Sequence, residues 1–192
     1  MYAMEVTATA IPDVKIVTPR RHGDSRGFFT ETYNRRSWAD HGLDFDFAQD
    51  NLSLSATVGT VRGLHFQAPP HAQAKLVSVI HGAALDVAVD IRAGSPSFGR
   101  HVAVTLSAED GRQLLIPVGF AHGFCTLRPD TLFAYKVTGY YAPDHDKGVL
   151  WNDPALAIDW PAAAAAAVVS DRDAAQPTLA ELPAYFTYER DT

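Results

Sequence analysis

The sequence has 192 residues, of which 47% are hydrophobic and 20% charged, a composition typical of a soluble globular protein with one sizeable core. The net charge is −6 and the basic residues are not clustered, which argues against a nucleic-acid-binding surface. A single cysteine, Cys125, excludes an intrachain disulfide, and neither a signal peptide nor a run of about 18 apolar residues is visible. These features predict a cytoplasmic protein without a membrane span.

Short β-rich runs, separated by Gly, Pro, Asp and Ser turn residues, follow one another along most of the chain. They predict strands over residues 14–18, 28–33, 45–53, 75–81, 84–91, 101–106, 113–117, 123–127 and 131–140. A helix is predicted near residues 34–42, and the tail from about Pro154 is expected to form turns and short helices. Many strands at short spacing are typical of a sandwich or barrel. No linker or repeat interrupts them, so we expect a single all-β domain over residues 1–192.

The predicted strand over residues 84–91 alternates between apolar and polar positions. One face carries Leu85, Val87, Val89 and Ile91, and the other carries Asp86, Ala88 and Asp90. Two carboxylates on one face of a strand are usually solvated. In a barrel with a polar pocket, however, Asp86 or Asp90 could point into the pocket, and the sequence leaves both alternatives open.

Two stretches have the spacing of the two cupin motifs. In the first, Gly59 is followed after five residues by the triplet 65–67 (His-Phe-Gln), and Lys75 is followed after six residues by Gly82. The second motif is matched by Gly111, Pro117, Gly119 and His122, with Thr126 in place of the usual asparagine. Glycine and proline suit strand ends and tight turns. The combined spacing therefore predicts a cupin fold.

The residues at the ligand positions differ from those of metal-binding cupins, which supply His, His, Glu and His. This chain has His65, Gln67, Lys75 and His122 in the corresponding places. An ammonium group has no lone pair to donate and repels a divalent cation. We therefore predict no metal at this site, and a pocket cation suited to an anion or to an enolate that forms from a ketone.

Several segments resemble the dTDP-4-dehydrorhamnose 3,5-epimerase family, and the similarity runs from about residue 13 to residue 185. The matching segments are 24–31 (DSRGFFTE), 49–51 (QDN), 59–67 (GTVRGLHFQ), 86–92 (DVAVDIR), 117–124 (PVGFAHGF), 151–154 (WNDP) and 170–173 (SDRD). The resemblance implies a cupin double-stranded β-helix (jelly roll), usually a homodimer, that uses no cofactor. The implied reaction converts dTDP-4-dehydro-6-deoxy-D-glucose to dTDP-4-dehydro-L-rhamnose.

The resemblance also implies catalytic roles. His65 is expected to be the general base, oriented by Asp173, and Tyr135 the proton donor on the opposite face of the sugar ring. Lys75 is expected to stabilise the oxyanion on C4. A proton next to a ketone is acidic only because its loss forms an enolate, so a base and a stabiliser of the oxyanion are both required. We further expect a nearby cation to lower the pKa of Tyr135.

Two of these choices have competitors in the sequence. Asp171 competes with Asp173 as the partner of His65. Tyr140 competes with Tyr135 as the proton donor, and strand phase alone does not separate Tyr140 from Tyr141.

The implied substrate-binding residues are Arg26, Glu31, Gln49, Asn51, Arg62, His122, Asp146, Arg172, Phe28 and Tyr141. Arg172 and Asp146 stand where lysine and glutamate are common in the family. His122 is expected either to bind substrate or to support Asp86. Phe28 or Phe29, together with Tyr141, are expected to stack on the thymine, across a dimer interface in one arrangement.

Three other functions compete with the 3,5-epimerase. A 3-only or 5-only epimerase of another dTDP-deoxysugar would need the same residues. A metal-dependent cupin is disfavoured by Lys75 and Gln67. A non-catalytic sugar-nucleotide-binding module is disfavoured by the joint presence of His65, Lys75, Tyr135 and Asp173.

Overall fold

The computed structural model describes residues 4–161 and 166–189. The strands in these ranges are β1 (Met4–Ala8), β2 (Lys15–Pro19), β3 (Arg21–Asp24), β4 (Gly27–Thr30), β5 (Gln49–Ser55), β6 (Val61–Gln67), β7 (Lys75–His81), β8 (Ala83–Asp90), β9 (Arg92–Ala93), β10 (His101–Ser107), β11 (Gln113–Ile116), β12 (Phe120–Thr126), β13 (Thr131–Val137), β14 (Asp146–Gly148) and β15 (Phe186–Thr187). The helices are short: α1 (Arg35–Ala39), α2 (Asp171–Ala174) and the 3-10 turns Pro143–His145 and Pro154–Leu156. The prediction of an all-β protein with a few short helices is confirmed.

Two antiparallel sheets face each other. One has the strand order β1-β2-β11-β7-β13-β5 and the other the order β10-β8-β12-β6-β14. Their inner faces pack into a common core, in which side chains such as Val77, Leu114 and Phe133 of the first sheet meet Ala88 and Phe124 of the second. This closure of two sheets over one core is the predicted jelly-roll architecture.

The outer face of the five-stranded sheet is covered by the C-terminal tail. Val87 and Val89 of β8 pack there against Leu156 and Phe186. Since side chains alternate along a strand, covering this apolar face turns the opposite face of β8 toward the barrel interior. Asp86 and Asp90 lie on that inner face, and both are completely buried.

The outer face of the six-stranded sheet is covered only in part. Trp38 of α1 packs there against Val17, Leu76 and Leu115. Asn34 caps this helix, its side chain accepting hydrogen bonds from two backbone N–H groups of the first turn. The rest of the face is open and apolar, with exposed Leu52, Leu54 and Ile80. The hairpin β3–β4 lies beside it and carries exposed Phe28 and Phe29.

Several predicted boundaries are wrong. The segment that became β6 was not among the predicted strands, and neither was β1. Residues 45–48 do not extend β5, because Phe45 and Phe47 pack edge-on against Trp38 instead. The predicted strand over 28–33 is confined to β4 of a hairpin, and the helix predicted near 34–42 has only five residues. In the described part of the chain, no helix has the length and apolar character needed to cross a bilayer.

Candidate active site

A cavity of about 330 Å³ opens between the two sheets, and both sheets supply its walls. The five-stranded sheet contributes Arg62, His65 and His122, and the six-stranded sheet contributes Lys75 and Tyr135. A smaller hollow of about 180 Å³ continues from it and shares His65, Lys75 and Tyr135. A larger groove of about 490 Å³, lined by Leu52, Ser78 and Gln113 among others, lies on the outer face of the six-stranded sheet, and atoms of Asn51 and Tyr135 line it as well.

His65 forms a hydrogen-bonded pair with Asp173 at the cavity wall. The distance from Nε2 of His65 to Oδ1 of Asp173 is 2.7 Å, and the second carboxylate oxygen accepts a 3.2 Å hydrogen bond from the backbone N–H of Gly63. Because a carboxylate only accepts, the proton of the neutral imidazole lies on Nε2. Nδ1 is then left as the basic nitrogen.

A helix cap holds Asp173 in this position. The hydroxyl of Ser170 accepts a hydrogen bond from the backbone N–H of Asp173, which starts α2 and turns Asp173 inward. Asp171, in the first turn of the same helix, is exposed. The structure therefore pairs His65 with Asp173 rather than with Asp171.

The electrostatics of this pair favour an ionised carboxylate. Burial alone would raise the pKa of Asp173, but the hydrogen bond and charge of His65, with the backbone N–H of Gly63, lower it below its usual value. Asp173 is thus a fixed negative charge behind the imidazole at neutral pH. Such a charge stabilises an imidazolium when His65 takes up a proton.

Lys75 lies at the start of β7, on the inner face of the opposite sheet. Its Nζ donates a 3.3 Å hydrogen bond to the backbone carbonyl of His65. Burial lowers the pKa of Lys75 to about 8, while the negative charges of Asp146 and Asp86 act to raise it. The site therefore holds an ammonium group that is only weakly stabilised in its charged form.

Tyr135 faces the cavity from β13, the strand next to β7, and Lys75 pairs with Val137 of that strand. Burial raises the pKa of Tyr135; the charge of Arg62 opposes this effect and that of Asp146 adds to it. The predicted effect of a nearby cation is confirmed, since the charge of Arg62 acts to lower the pKa of Tyr135, but burial outweighs it and the net change is upward. The phenol keeps its proton at neutral pH.

His122 of β12 is the direct cross-strand neighbour of His65. Its Nε2 lies 3.1 and 2.9 Å from the two carboxylate oxygens of Asp86. A second His–Asp pair thus lies beside the first. Of the two alternatives for Asp86, the structure selects the inward orientation.

Charged and polar groups form the rim of the cavity. Asp146 of β14 holds Arg172 by a 2.8 Å ion pair and accepts a 3.1 Å hydrogen bond from the hydroxyl of Tyr141. The side chain of Asp146 accordingly raises the pKa of Arg172. The side-chain amide of Gln49 donates a 2.7 Å hydrogen bond to Oδ1 of Asn51, and Oε1 of Gln49 accepts one from the backbone N–H of Tyr141. These groups place hydrogen-bond donors and one cation at the mouth.

Gln67 stabilises a loop through hydrogen bonds, and Tyr140 lies at the surface. The amide of Gln67 donates to the carbonyls of His71 and Tyr140 and accepts from the backbone N–H of Ala142. Its hydrogen bonds thus fix the loop after β13. Tyr140 is exposed and is not among the side chains that line the cavity, so Tyr135 is the tyrosine that faces His65.

Three predicted binding residues do not line this cavity within one chain. Arg26 is exposed in the β3–β4 turn and pairs with Asp24 at 2.5 Å. Phe28 lies on the outer groove under the guanidinium of Arg21, and Glu31 lines a small crevice near Trp38. The hairpin projects from the outer face of the sheet, so these side chains point away from His65.

The sequence reasoning missed two groups that hold the site together, Ser170 and the backbone N–H of Gly63. The order Ser-x-x-Asp over residues 170–173 is a helix N-cap signature and could have indicated Ser170. Gly63 has φ +136°, and a Cβ there would lie 2.5 Å from the Cα of Gly123. Only glycine fits this close approach of β6 to β12, next to the bulge in that pair.

Within residues 4–161 and 166–189, no group of three or more histidine, cysteine or carboxylate side chains is placed so that it could hold a metal ion. Each histidine of the cavity instead directs Nε2 to its own carboxylate partner.

Comparison with known proteins identifies close relatives. A family model described as dTDP-4-dehydrorhamnose 3,5-epimerase matches residues 8–181. The chain is 49% identical over 185 residues to a dTDP-4-dehydrorhamnose 3,5-epimerase of Sinorhizobium fredii, covering 96% of this chain and 94% of the relative.

Two solved structures are similar over nearly their whole length. One is a dTDP-4-dehydrorhamnose 3,5-epimerase from Bacillus anthracis with TDP and PPi bound (52% identity, TM-score 0.89, covering 92% of this chain and 99% of that one). The other is a dTDP-6-deoxy-D-glucose-3,5-epimerase from Legionella pneumophila in complex with dTDP-4-keto-L-rhamnose (44% identity, TM-score 0.92, covering 98% and 100%).

Proposed function

This chain belongs to the dTDP-4-dehydrorhamnose 3,5-epimerase family, and from that membership we infer that it is an isomerase that inverts C3 and C5 of dTDP-4-dehydro-6-deoxy-D-glucose. The product is dTDP-4-dehydro-L-rhamnose. The observation that carries the residue roles is the opposition of His65 and Tyr135, which face one cavity from the two opposed sheets. Inversion needs a base on one face of the sugar ring and an acid on the other, and this arrangement supplies both.

In the proposed mechanism, His65 removes the proton from the carbon next to the ketone. Asp173 keeps the proton of the resting imidazole on Nε2, so that Nδ1 is free to act as the base. As Nδ1 takes up the substrate proton, the buried carboxylate of Asp173 balances the charge of the imidazolium. The pair therefore lowers the energy of the ionised transition state without being consumed.

Lys75 stabilises the enolate that this step forms. The negative charge moves onto the oxygen of C4, and the ammonium of Lys75 is the cation that enters the cavity from the opposite sheet. A preorganised donor in a site from which water is excluded contributes more to an oxyanion than it would in water. Tyr135, whose raised pKa keeps it protonated, then returns a proton from the opposite face. The imidazolium of His65 then releases its proton to solvent and the phenolate of Tyr135 takes one up from solvent, after which the same steps at the second carbon complete the double epimerisation.

We propose that the rim binds the nucleotide part of the substrate. Arg172 is half-exposed and still carries free guanidinium donors after its ion pair with Asp146, so it can hold a pyrophosphate. Tyr141 offers an exposed ring beside it for stacking. Gln49 and Asn51 offer amide groups between the rim and Tyr135.

Proton NMR of the purified protein with dTDP-4-dehydro-6-deoxy-D-glucose in deuterated water tests this function. We expect solvent deuterium at both C3 and C5. Deuterium at one carbon alone would favour a 3-only or 5-only epimerase, and no exchange by folded protein would refute the proposal. The His65→Asn variant is expected to bind the nucleotide sugar but to exchange neither position, which separates catalysis from mere binding.

We further propose a homodimer that completes each site across the subunit interface. The outer face of the six-stranded sheet is open, with Leu52, Leu54 and Ile80 exposed. The hairpin beside it exposes Phe28 and leaves Arg26 far from the cavity of its own chain. A second copy packed on this apolar face would bury it and would bring these hairpin residues toward its partner's cavity.

Mixing two inactive variants tests the shared site. If His65 and Arg26 of different chains form one site, a hybrid of His65→Asn and Arg26→Ala subunits has one intact site. When the subunits pair at random, about half of the dimers are hybrids and each hybrid has one intact site of two, so the mixture should recover roughly a quarter of wild-type activity. No recovery from a mixture that does exchange subunits, or a monomeric mass by light scattering, would contradict the shared site.

A single domain over residues 1–192 and a cytoplasmic location complete the proposal. The family match over residues 8–181 supports the first. The second is supported by Cys125, the one cysteine of the sequence, which is buried as a free thiol. Limited proteolysis and cell fractionation test these two points.

A further inference from the structure

Asp86 is a completely buried carboxylate that the proposed mechanism does not use. The hydrogen-bond partner found for it is Nε2 of His122, which both of its oxygens contact. Burying a carboxylate costs free energy unless other groups compensate its charge. A fully buried carboxylate that is hydrogen-bonded to a histidine of the cavity wall therefore calls for a function beyond packing.

The strand register places Asp86 on the same side of the barrel as the reactive groups. His122 is directly opposite His65 on β6 and Ala88 on β8, and Phe124 is opposite Asp86. Ala88, two residues from Asp86 on the same face, packs in the same core cluster as Val77, two residues from Lys75 on β7. Asp86 and Lys75 thus extend into the barrel interior from opposite sheets.

Charged and titratable groups face the ammonium of Lys75 from every element that surrounds it. They are Tyr135 on β13, His65 and Arg62 on β6, His122 on β12, Asp86 on β8, Asp146 on β14, and Arg172 and Asp173 on α2. Three of these groups are carboxylates. Asp173 is paired with His65, and Asp146 is shared between Arg172 and Tyr141. Asp86, like Asp173, is paired with an imidazole, which carries a charge only when it is protonated, and of the three carboxylates Asp86 is the one that is completely buried.

We propose that Asp86 is a positioning residue that orients His122 toward the sugar and, together with Asp146, supplies negative charge that favours the protonated ammonium of Lys75. The inference rests on the proposed function for its catalytic meaning, because a protonated Lys75 matters only if an oxyanion forms beside it. Asp86 accepts a hydrogen bond from the Nε2–H of His122, which leaves Nδ1 of His122 as the nitrogen available to a substrate hydroxyl. By its charge, it offsets the burial that favours loss of the proton from Lys75.

The test compares Asp86→Asn with Asp90→Asn. Asp90 is on the same strand and the same face and is equally buried, but it bonds to Arg92, Ser95 and Ser97 instead of groups of the cavity. Acetylation of Lys75 by acetic anhydride is followed against pH by mass spectrometry without substrate. Lys15, whose ammonium donates a hydrogen bond to the carbonyl of Pro12 at the surface, is the internal reference.

In Asp86→Asn, the acetylation midpoint of Lys75 should move to lower pH by about one unit, the lower end of the effect of a neighbouring charge. The basic limb of kcat should move with it, and Asp90→Asn should shift neither. An unchanged midpoint in folded Asp86→Asn would overturn the proposal, as would an equal shift in Asp90→Asn.

A second variant keeps the proposal testable if Asp86→Asn does not fold. His122→Gln retains an amide donor to Asp86 and leaves its charge in place, so the Lys75 midpoint should not fall, while KM should rise because Nδ1 is lost. A fall in the midpoint, or a KM like that of the wild type, would overturn the proposal. If wild-type protein does not epimerise the nucleotide sugar but the midpoint still shifts in Asp86→Asn, the proposed function fails and the electrostatic role of Asp86 stands.

Discussion

Replacing Asp173 by asparagine changes one atom of the carboxylate and tests the proposed base directly. The two oxygens of Asp173 serve two donors, Nε2 of His65 at 2.7 Å and the backbone N–H of Gly63 at 3.2 Å. An asparagine has one carbonyl oxygen and can serve only one of them. If its oxygen stays with Gly63, its amide N–H groups face Nε2 and force the imidazole proton onto Nδ1, the nitrogen that must accept the substrate proton.

The alternative orientation of the asparagine is also unfavourable. With its oxygen toward His65, its amide would meet the N–H of Gly63, and a buried donor would be left without an acceptor at a cost of about 1–3 kcal/mol. Loss of the buried charge would also remove electrostatic stabilisation of the imidazolium that forms when His65 takes up the substrate proton. General-base catalysis contributes about 10²- to 10⁴-fold, so Asp173→Asn, which takes the basic nitrogen away from the substrate, should lower kcat by about that factor.

The rate of deuterium incorporation at C3 and C5 in deuterated water measures this loss. Asp171→Asn is the matched control, since it makes the same chemical change in the first turn of the same helix, at an exposed side chain. It is expected to retain wild-type kcat. A loss of less than tenfold in folded Asp173→Asn, or equal losses in the two variants, would refute the assignment of His65 and Asp173 as the catalytic pair.

Three further predictions concern the pH profile, the backbone and the thiol. Since Lys75 acts as a cation and burial lowers its pKa to about 8, kcat should fall about tenfold per unit above that pH. Lys75→Met should remove this basic limb and lower kcat at pH 7 by about 10²–10³; a wild-type profile that is flat to pH 10 would contradict the role. Gly27 and Gly63 both have φ +136°, a conformation that strains any residue with a Cβ, but nothing lies within 4 Å of a Cβ built at Gly27. Gly27→Ala should therefore lower the free energy of unfolding, measured by urea titration, by about 1–3 kcal/mol from strain alone. Gly63→Ala should cost about 1–3 kcal/mol more, because its Cβ would collide with Gly123, and equal costs would show that the approach of the strands is not tight. Cys125 is buried and its thiol pKa is raised to about 11, so a thiol reagent at pH 8 should label it only after denaturation; rapid labelling of native protein would contradict this burial.

The sequence predicted the class of fold and the central residues because these depend on local spacing. Turn residues at short intervals and the cupin spacing from Gly59 to His122 indicated a β-barrel. Lysine at the position of an acidic ligand indicated a site built around its own cation. The strand boundaries were less predictable. Phe45 and Phe47 have strand-like character, yet Trp38 draws them into an aromatic cluster outside the sheet.

Other features of the site depend on contacts between distant segments. Asp173 lies 108 residues after His65, and the N-cap of a four-residue helix brings the two side chains together. The hairpin with Arg26 and Phe28 matched the family pattern in the sequence, but its position on the outside of the sheet separates it from the cavity of its own chain.

Strand β8 illustrates the division most clearly. The sequence by itself determined that Asp86 and Asp90 share one face and that Val87 and Val89 share the other, because side chains alternate with a period of two. Only the tertiary structure decided which face lies inside. The C-terminal tail covers the apolar face from outside, so the two carboxylates turn into the barrel, where Asp86 is hydrogen-bonded to His122 and Asp90 forms an ion pair with Arg92.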